Sequence, residues 1–319
     1  MRQCLDSIIN QTLKEIQIII INDGSTDNSK EIILDYVRKD NRLVFIDSVN
    51  EGVSSARNKG IEKATGKYTG FVDADDYLDT TMYQRLFDIA EEKDASLAIC
   101  NAMAVARKVE SKKRLELKNE CVLVSDKAGL VMDFLSFKYD TANWNKIYAT
   151  QIINEHHLEF HKNLAIWEDL LFNLEFIAYA KKMVTIDESL YYYRLHDASV
   201  MADSKLLISR QYNLLYDTYM SFCNKNSLHL EKEVFKQERA KTCIPNVFVL
   251  LKLRMRSNRK FFTLSRQFGN ELKILNPAIY TETKPLKRMS LNFYWLLKYK
   301  FYGAFAFLYV ANYMIKNRI

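Results

Sequence analysis

The chain has 319 residues, 48% hydrophobic and 27% charged, with a formal net charge of +7. That composition is ordinary for a folded protein, and the length suits about two domains with a sizeable core. Cys4, Cys100, Cys121, Cys223 and Cys243 form no CxxC pair and are odd in number, which suggests neither a disulfide framework nor a cysteine zinc site and points to a reducing compartment. No secretory leader is expected after Met1, and no apolar run reaches the roughly eighteen residues of a membrane span. Charge is uneven. Residues 1–100 hold 12 Lys/Arg against 18 Asp/Glu, whereas residues 206–319 hold 20 against 6. A basic back half favours an anionic partner such as a membrane surface.

In chain order, the spacing of Leu5, Ile8, Ile9 and Leu13 predicts a helix over 2–14. The run Ile16–Ile21 is short, β-branched and apolar, and predicts a buried parallel strand. A polar turn from Asn22 to Ser29 leads to a helix over 29–38. A strand at 43–47, a helix at 53–64 and a strand at 68–72 follow, then a helix at 80–93 and a strand at 95–100. The alternation predicts an α/β fold with a mainly parallel sheet and helices on both faces. Ligands in such sheets bind beyond the carboxyl ends of the strands, where Asp23 and the Asp73–Asp76 cluster fall. From about residue 205 glycine nearly vanishes and aromatic and basic residues rise, which predicts a helical C-terminal region.

Four segments could carry chemistry. Asp73-Ala74-Asp75-Asp76 sets three carboxylates within four residues. They repel one another unless a positive group sits among them. Hard oxygens at this spacing suit Mg²⁺ or Mn²⁺ with phosphate oxygens. A solvated acidic turn is the alternative. Asn22-Asp23-Gly24-Ser25 could receive a base or ribose, or be a plain turn with Ser25 or Asp27 as cap. Asn50 to Gly60 opens a helix with Arg57 one turn inside, fit for phosphate or equally for a solvated surface. Trp167-Glu168-Asp169 starts a helical run. Its acids are either dipole partners or a general base. The histidines show no metal-binding spacing.

Taken together and in order, these segments resemble glycosyltransferase family 2, which has the Rossmann-like GT-A fold. The resemblance is carried by Cys4–Thr12, Ile21–Asp27, Asn50–Gly52 with Ser55–Asn58, and Gly66–Asp76. Later pieces are Trp144–Tyr148, Glu168-Asp169, and Tyr192–Arg194 with Ser199–Met201. It spans about residues 2–203 and implies a GT-A domain over 1–204, with a nucleotide half to about 105 and an acceptor half over 106–204. It implies an inverting transfer from a nucleotide sugar, UDP-linked, to a glycan or lipid-linked acceptor in bacterial surface polysaccharide synthesis. Asp23, Arg57, Asp73 and Asp75 would bind the donor, with Asp73 and Asp75 also on the divalent metal. Asp169 would be the catalytic base, with Asp76, Glu168, Trp144 and Lys146 as further site residues.

The family's first strand precedes the helix in which this chain opens, so two neighbouring strands are expected to lack a partner. An inactive or regulatory relative is therefore one rival reading. A Mg²⁺-dependent phosphatase or nucleotidyltransferase using the Asp73–Asp76 cluster is another. Residues 251–262 carry five basic residues among apolar ones, and 291–315 are rich in aromatics. An in-plane interfacial helix is expected over this tail, with a helical core as the alternative. The expected location is the cytoplasm, peripheral on the inner face of the cell membrane. No nucleic-acid module accompanies the basic tail.

Overall fold

A computed structural model describes residues 1–106, 109–113, 116–195 and 208–226, with positions 228, 266, 268–270, 306 and 309. The chain forms two compact units, Met1–His196 and Asp197–Ile319. The Ser199–Met201 motif, the expected boundary at 204 and nearly all of 251–319 lie outside the described residues. Among those described, no helix is long and apolar enough to cross a membrane.

The first unit holds two sheets. Strand β1 (Ile18–Asp23) pairs in parallel with β2 (Leu43–Ser48), in register from Ile18 opposite Leu43 to Asp23 opposite Ser48. Helices α1 (Arg2–Ile9), α2 (Ser29–Val37) and α3 (Val53–Lys63) accompany them. The second sheet has seven strands. Its path runs β3 (Tyr68–Gly70), β8 (Lys146–Ala149), β5 (Leu97–Ala106), β9 (Lys182–Arg194) and β4 (Tyr77–Leu78). Strands β6 (Val109–Lys113) and β7 (Glu120–Leu123) pair with β5 and β9. Helices α4 (Met82–Lys93), α5 (Lys127–Leu135), α6 (Thr150–Glu155) and α7 (Glu168–Ile177) complete the unit.

The expected α/β alternation is present over residues 18–100, but the sheet is mixed rather than mainly parallel. Within the larger sheet β5 and β9 run parallel, while β3–β8, β5–β8, β4–β9, β5–β6 and β7–β9 are antiparallel. Strands β3 and β4 from the first hundred residues pair antiparallel with β8 and β9, so the mixed direction comes from pairings between strands distant in sequence.

Helix α1 ends at Ile9, short of the expected Thr12–Lys14. The side chains of Asn10 and Gln11 turn back to donate to the carbonyls of Asp6 and Ser7, closing the last turn. Gln11, fully buried, also donates to the Asp79 carbonyl at 2.7 Å and accepts from the Tyr83 N–H at 3.0 Å. Arg42 holds the other side, donating to the Ile9 carbonyl at 2.8 Å. Helix α1 is thereby fastened both to the small sheet and to the β4–α4 turn.

The main core gathers Leu78, Met82, Leu86, Ala98, Cys100, Ile147, Val184 and Tyr191. A smaller cluster of Leu5, Ile18, Tyr36 and Leu43 lies under the two-stranded sheet. Helix α7 is buried on all sides from Leu170 to Ile177, as its near-continuous apolar sequence requires. In the second unit, α8 (Ile208–Lys225) buries Tyr212, Leu215, Tyr219, Met220 and Cys223, the spacing of one helical face.

Candidate active site

The acid loop follows β3. Its three carboxylates part company. Asp75 is exposed, and the Asp73 side chain keeps 34% of its surface. Asp76 is buried and fully engaged: Tyr191 Oη donates to its Oδ2 at 2.8 Å, and the Arg194 N–H to its Oδ1 at 2.7 Å. The same Tyr191 hydroxyl accepts from the Asp73 N–H at 3.2 Å. Burial pushes the Asp76 carboxyl up to about 6, with Asp75 and Asp73 adding to the rise, against the two donated hydrogen bonds. Asp76 therefore acts as a clasp between the acid loop and β9, not as an outward ligand. Tyr191 is the residue that sequence reasoning missed, although it adjoins the Tyr192–Arg194 motif.

Asp23 ends β1 and closes the next loop. Its two carboxylate oxygens accept the N–H groups of Glu51 at 2.8 Å and Gly52 at 2.9 Å. Gly24 follows at φ +70°, and an added Cβ would lie 2.6 Å from the Asn50 nitrogen, so the turn requires glycine. The two motifs at 22–25 and 50–52 thus form one structure.

Helix α3 presents Ser54, Arg57 and Asn58 on one face, at positions i, i+3 and i+4. Ser54 Oγ donates to the His161 carbonyl at 3.3 Å. Asn58 donates to the Phe160 carbonyl at 2.9 Å and accepts from the Phe160 N–H at 2.7 Å. Arg57 forks between two carboxylates: Nη2 lies 3.1 Å from Asp73 Oδ1 and Nη1 2.9 Å from Glu168 Oε1. Its guanidinium stands 5.2 Å above the Phe160 ring. The solvated-surface alternative for Arg57 is thus set aside. Burial pulls its pKa down, but Asp73, Glu168 and Asp169 outweigh this and hold it above its ordinary value.

Glu168 and Asp169 open α7. Trp167 precedes them at φ 67°, a left-handed conformation that a bulky residue adopts at some cost in strain. Asp169 is partly buried, and its Oδ1 accepts the Leu170 N–H at 2.7 Å. Burial and then the neighbouring Glu168 push its pKa up to about 7, with Asp140 adding and Arg57 opposing. An aromatic nest lies beneath. Phe71, at the root of the acid loop, meets Tyr148, Phe160 and Phe172 edge-on at 5.2–5.9 Å, and Phe160 stacks on Phe172 at 4.3 Å.

Trp144 and Lys146 are set back from these acids. Trp144 stacks on Tyr191 at 4.2 Å. Lys146 is fully buried and donates to the carbonyls of Asp140 and Ala142 and to Asn145 Oδ1, at 2.8, 2.5 and 2.7 Å. Asn173, also missed, donates to the carbonyls of Asp169 and Thr141, tying α7 to the 140–146 loop.

Arg57 therefore brings the acid loop and the Glu168-Asp169 turn together, and Asp23 lies at the end of β1 on the smaller sheet. The donor set at the acid loop fits a divalent cation. Exposed Asp75 and partly exposed Asp73 offer hard oxygens, and Mg²⁺ or Mn²⁺ characteristically takes one or two carboxylates together with substrate phosphates.

Among proteins of known family, residues 1–160 match the family model described as glycosyl transferase family 2. The chain is 35% identical over 196 residues to EpsJ of Bacillus subtilis, described as an uncharacterized glycosyltransferase, covering 60% of this chain and 56% of EpsJ. This chain thus spans little more than half the length of that relative. TarS of Staphylococcus aureus, solved with UDP-GlcNAc, superposes with a TM-score of 0.67 at 18% identity, over 99% of this chain and 88% of that one. A mannosyltransferase from Pyrobaculum calidifontis, solved with GDP-Man and Mn²⁺, gives a TM-score of 0.50 at 12% identity, over 96% and 82%. The GT-A architecture of these structures is the fold of this chain, and the match across half its length makes it a member of glycosyl transferase family 2.

Proposed function

We propose that this chain transfers a sugar from a UDP-linked donor to a hydroxyl of a glycan or lipid-linked acceptor, with inversion, in the building of a bacterial surface polysaccharide. The observation that carries this reading is Asp169 at the start of α7, next to Glu168, which Arg57 ties to the acid loop; burial pushes its pKa up to about 7. A general base works best when its pKa lies near the operating pH. The glycosyltransferase descriptions of the relatives and the nucleotide sugars bound in the TarS and mannosyltransferase structures support the same class of reaction.

In this reading Asp23, with the 50–52 loop it closes, receives the nucleoside. Asp73 and Asp75 face the diphosphate. A divalent cation held there supplies positive charge against the departing diphosphate. Asp169 takes the proton of the acceptor hydroxyl as that oxygen attacks the anomeric carbon and the sugar–phosphate bond breaks. Arg57 and Glu168 orient the base. Lys146 and Trp144 support the 140–146 segment behind it. A phosphatase using Asp73 as nucleophile would instead release phosphate without transferring sugar. A lipid-linked acceptor also accounts for the basic, aromatic tail at 251–319, whose deletion from residue 285 onward is expected to abolish co-sedimentation with anionic vesicles.

The direct test is a panel of UDP-glucose, UDP-galactose and UDP-GlcNAc with Mn²⁺, following UDP release with and without a glycan acceptor. Release that depends on Mn²⁺, rises with acceptor and is lost in Asp169→Asn is expected. Release of inorganic phosphate without sugar transfer would overturn the reading.

A further inference from the structure

The buried face of α3 poses a question that donor binding leaves open. Ser54, Arg57 and Asn58 all point at the segment from Phe160 to Glu168. Two of the three make neutral hydrogen bonds that would suffice to hold the helix in place. Arg57 adds a charge, with one nitrogen on the acid loop and another on the amino end of α7. Its side chain keeps 13% of its surface. A fork of this kind fixes two carboxylates relative to each other in a way that an ammonium cannot.

We propose that Arg57 is a positioning residue that couples the acid loop to Asp169, so that a nucleoside diphosphate occupying the loop is felt at the Asp169 carboxyl. The supporting geometry is continuous. Asp73 and Glu168 share the Arg57 guanidinium, and Glu168 adjoins Asp169. Phe71 and Phe172, rooted in the same two elements, meet in one nest with Phe160 under the guanidinium. A displacement of Asp73 toward phosphate or cation changes one end of the fork. The charge then rests more fully on Glu168, and the base responds.

The groups that act on Asp169 are Glu168 on its own helix, Arg57 on α3, Asp140 on the 140–146 segment, the Leu170 N–H, and the Tyr148 hydroxyl on β8. Glu168 and Asp140 push its pKa up, and Arg57 alone among the charged groups pulls it down. Removing Arg57 therefore raises the Asp169 midpoint above about 7. An arginine near an aspartate lowers its pKa by about 1–3 pH units.

The inference rests on the transferase reading for the identity of the loop ligand, but its test needs no turnover. Carboxyl ¹³C NMR of aspartate-labelled protein follows the titration, with Asp169→Asn assigning the resonance. Arg57→Met is expected to move the midpoint upward by about 1–3 pH units. UDP with Mg²⁺ is expected to shift it in the wild type but not in Arg57→Met. An unmoved midpoint in Arg57→Met, or the same UDP response in both, overturns the proposal. Should Arg57→Met not fold, Arg57→Lys decides: it keeps the charge but reaches one carboxylate, so its midpoint stays near the wild-type value while the UDP response is lost. A full response in Arg57→Lys overturns the coupling. Failure of every sugar donor in the transfer assay would count against the transferase reading and leave these titrations to stand or fall separately.

Discussion

The acid loop and the start of α7 each place two carboxylates side by side, Asp75-Asp76 in one and Glu168-Asp169 in the other, and the fold divides each pair differently. In the loop, Asp76 is drawn inward by neutral donors, the Tyr191 hydroxyl and the Arg194 N–H, while Asp75 stays in water. At the helix start, Glu168 is drawn to a full positive charge, Arg57, while Asp169 keeps a backbone N–H and a raised pKa. Neutral donors anchor a carboxylate without compensating its charge. A cation compensates one acid, and so permits a second to remain beside it near its titration midpoint. In the proposed transfer the loop would receive the metal and diphosphate, and the helix start would move the proton.

The contrast can be broken most severely at Asp169. Asp169→Asn is expected to lower sugar transfer by about 10²- to 10⁴-fold, the usual worth of a general base, with UDP binding measured by calorimetry little changed. Asp75→Asn should do the reverse, weakening metal-dependent UDP binding. Equal loss of binding in both variants would show that the two regions do not divide the work. A smaller effect is expected at Asp76. Asp76→Ala leaves the Tyr191 hydroxyl and the Arg194 N–H without their acceptor, at a cost of about 1–3 kcal/mol for each buried group, read as a lower midpoint in urea. Tyr191→Phe removes both the donor to Asp76 and the acceptor of the Asp73 N–H, and should cost a similar amount.

A further effect is one of pH. Asp169 rises from 3.8 to about 7 on folding, so the folded state holds this proton more tightly than the unfolded chain. Its contribution to stability is fully present below the ordinary carboxylate range and is lost as pH rises toward the folded value. Wild-type Tm is therefore expected to fall relative to Asp169→Asn between about pH 4 and about pH 7. A constant difference across that window would mean that the carboxyl titrates normally. The transfer rate should show the opposite slope, rising as Asp169 loses its proton.

Much of the first hundred residues was legible because each element announces itself locally. The apolar run before Asp23, the polar turn from Asn22 to Ser29, and the helical spacing around Arg57 are short-range signals. Partners distant in sequence were not legible. Nothing near Arg57 indicates that Glu168 lies 111 residues away at 2.9 Å. The antiparallel pairings of β7 and β9 likewise depend on tertiary contact. Lys146 was legible as part of a motif but not as a fully buried ammonium among carbonyls, since its sequence neighbours Asn145 and Ile147 do not reveal that the 140–146 segment curls around it. Asp76 read as one acid of a cluster because its clasp, Tyr191, is supplied by β9.

The division of the first unit into two sheets bears on how it breathes. Strand β1, which carries Asp23, has partly exposed residues from Ile19 to Ile21 and, among the described residues, pairs with β2 alone, whereas Leu97–Cys100 on β5 lies fully buried between β8 and β9. Small cooperative units with few neighbours open at lower free energy than the rest of a protein. The amides of Ile18–Asp23 are therefore set to exchange with deuterium through a local excursion, while those of Leu97–Cys100 wait for global unfolding. If Asp23 receives the nucleoside as proposed, a bound nucleotide should slow exchange at Ile18–Asp23 far more than at Leu97–Cys100.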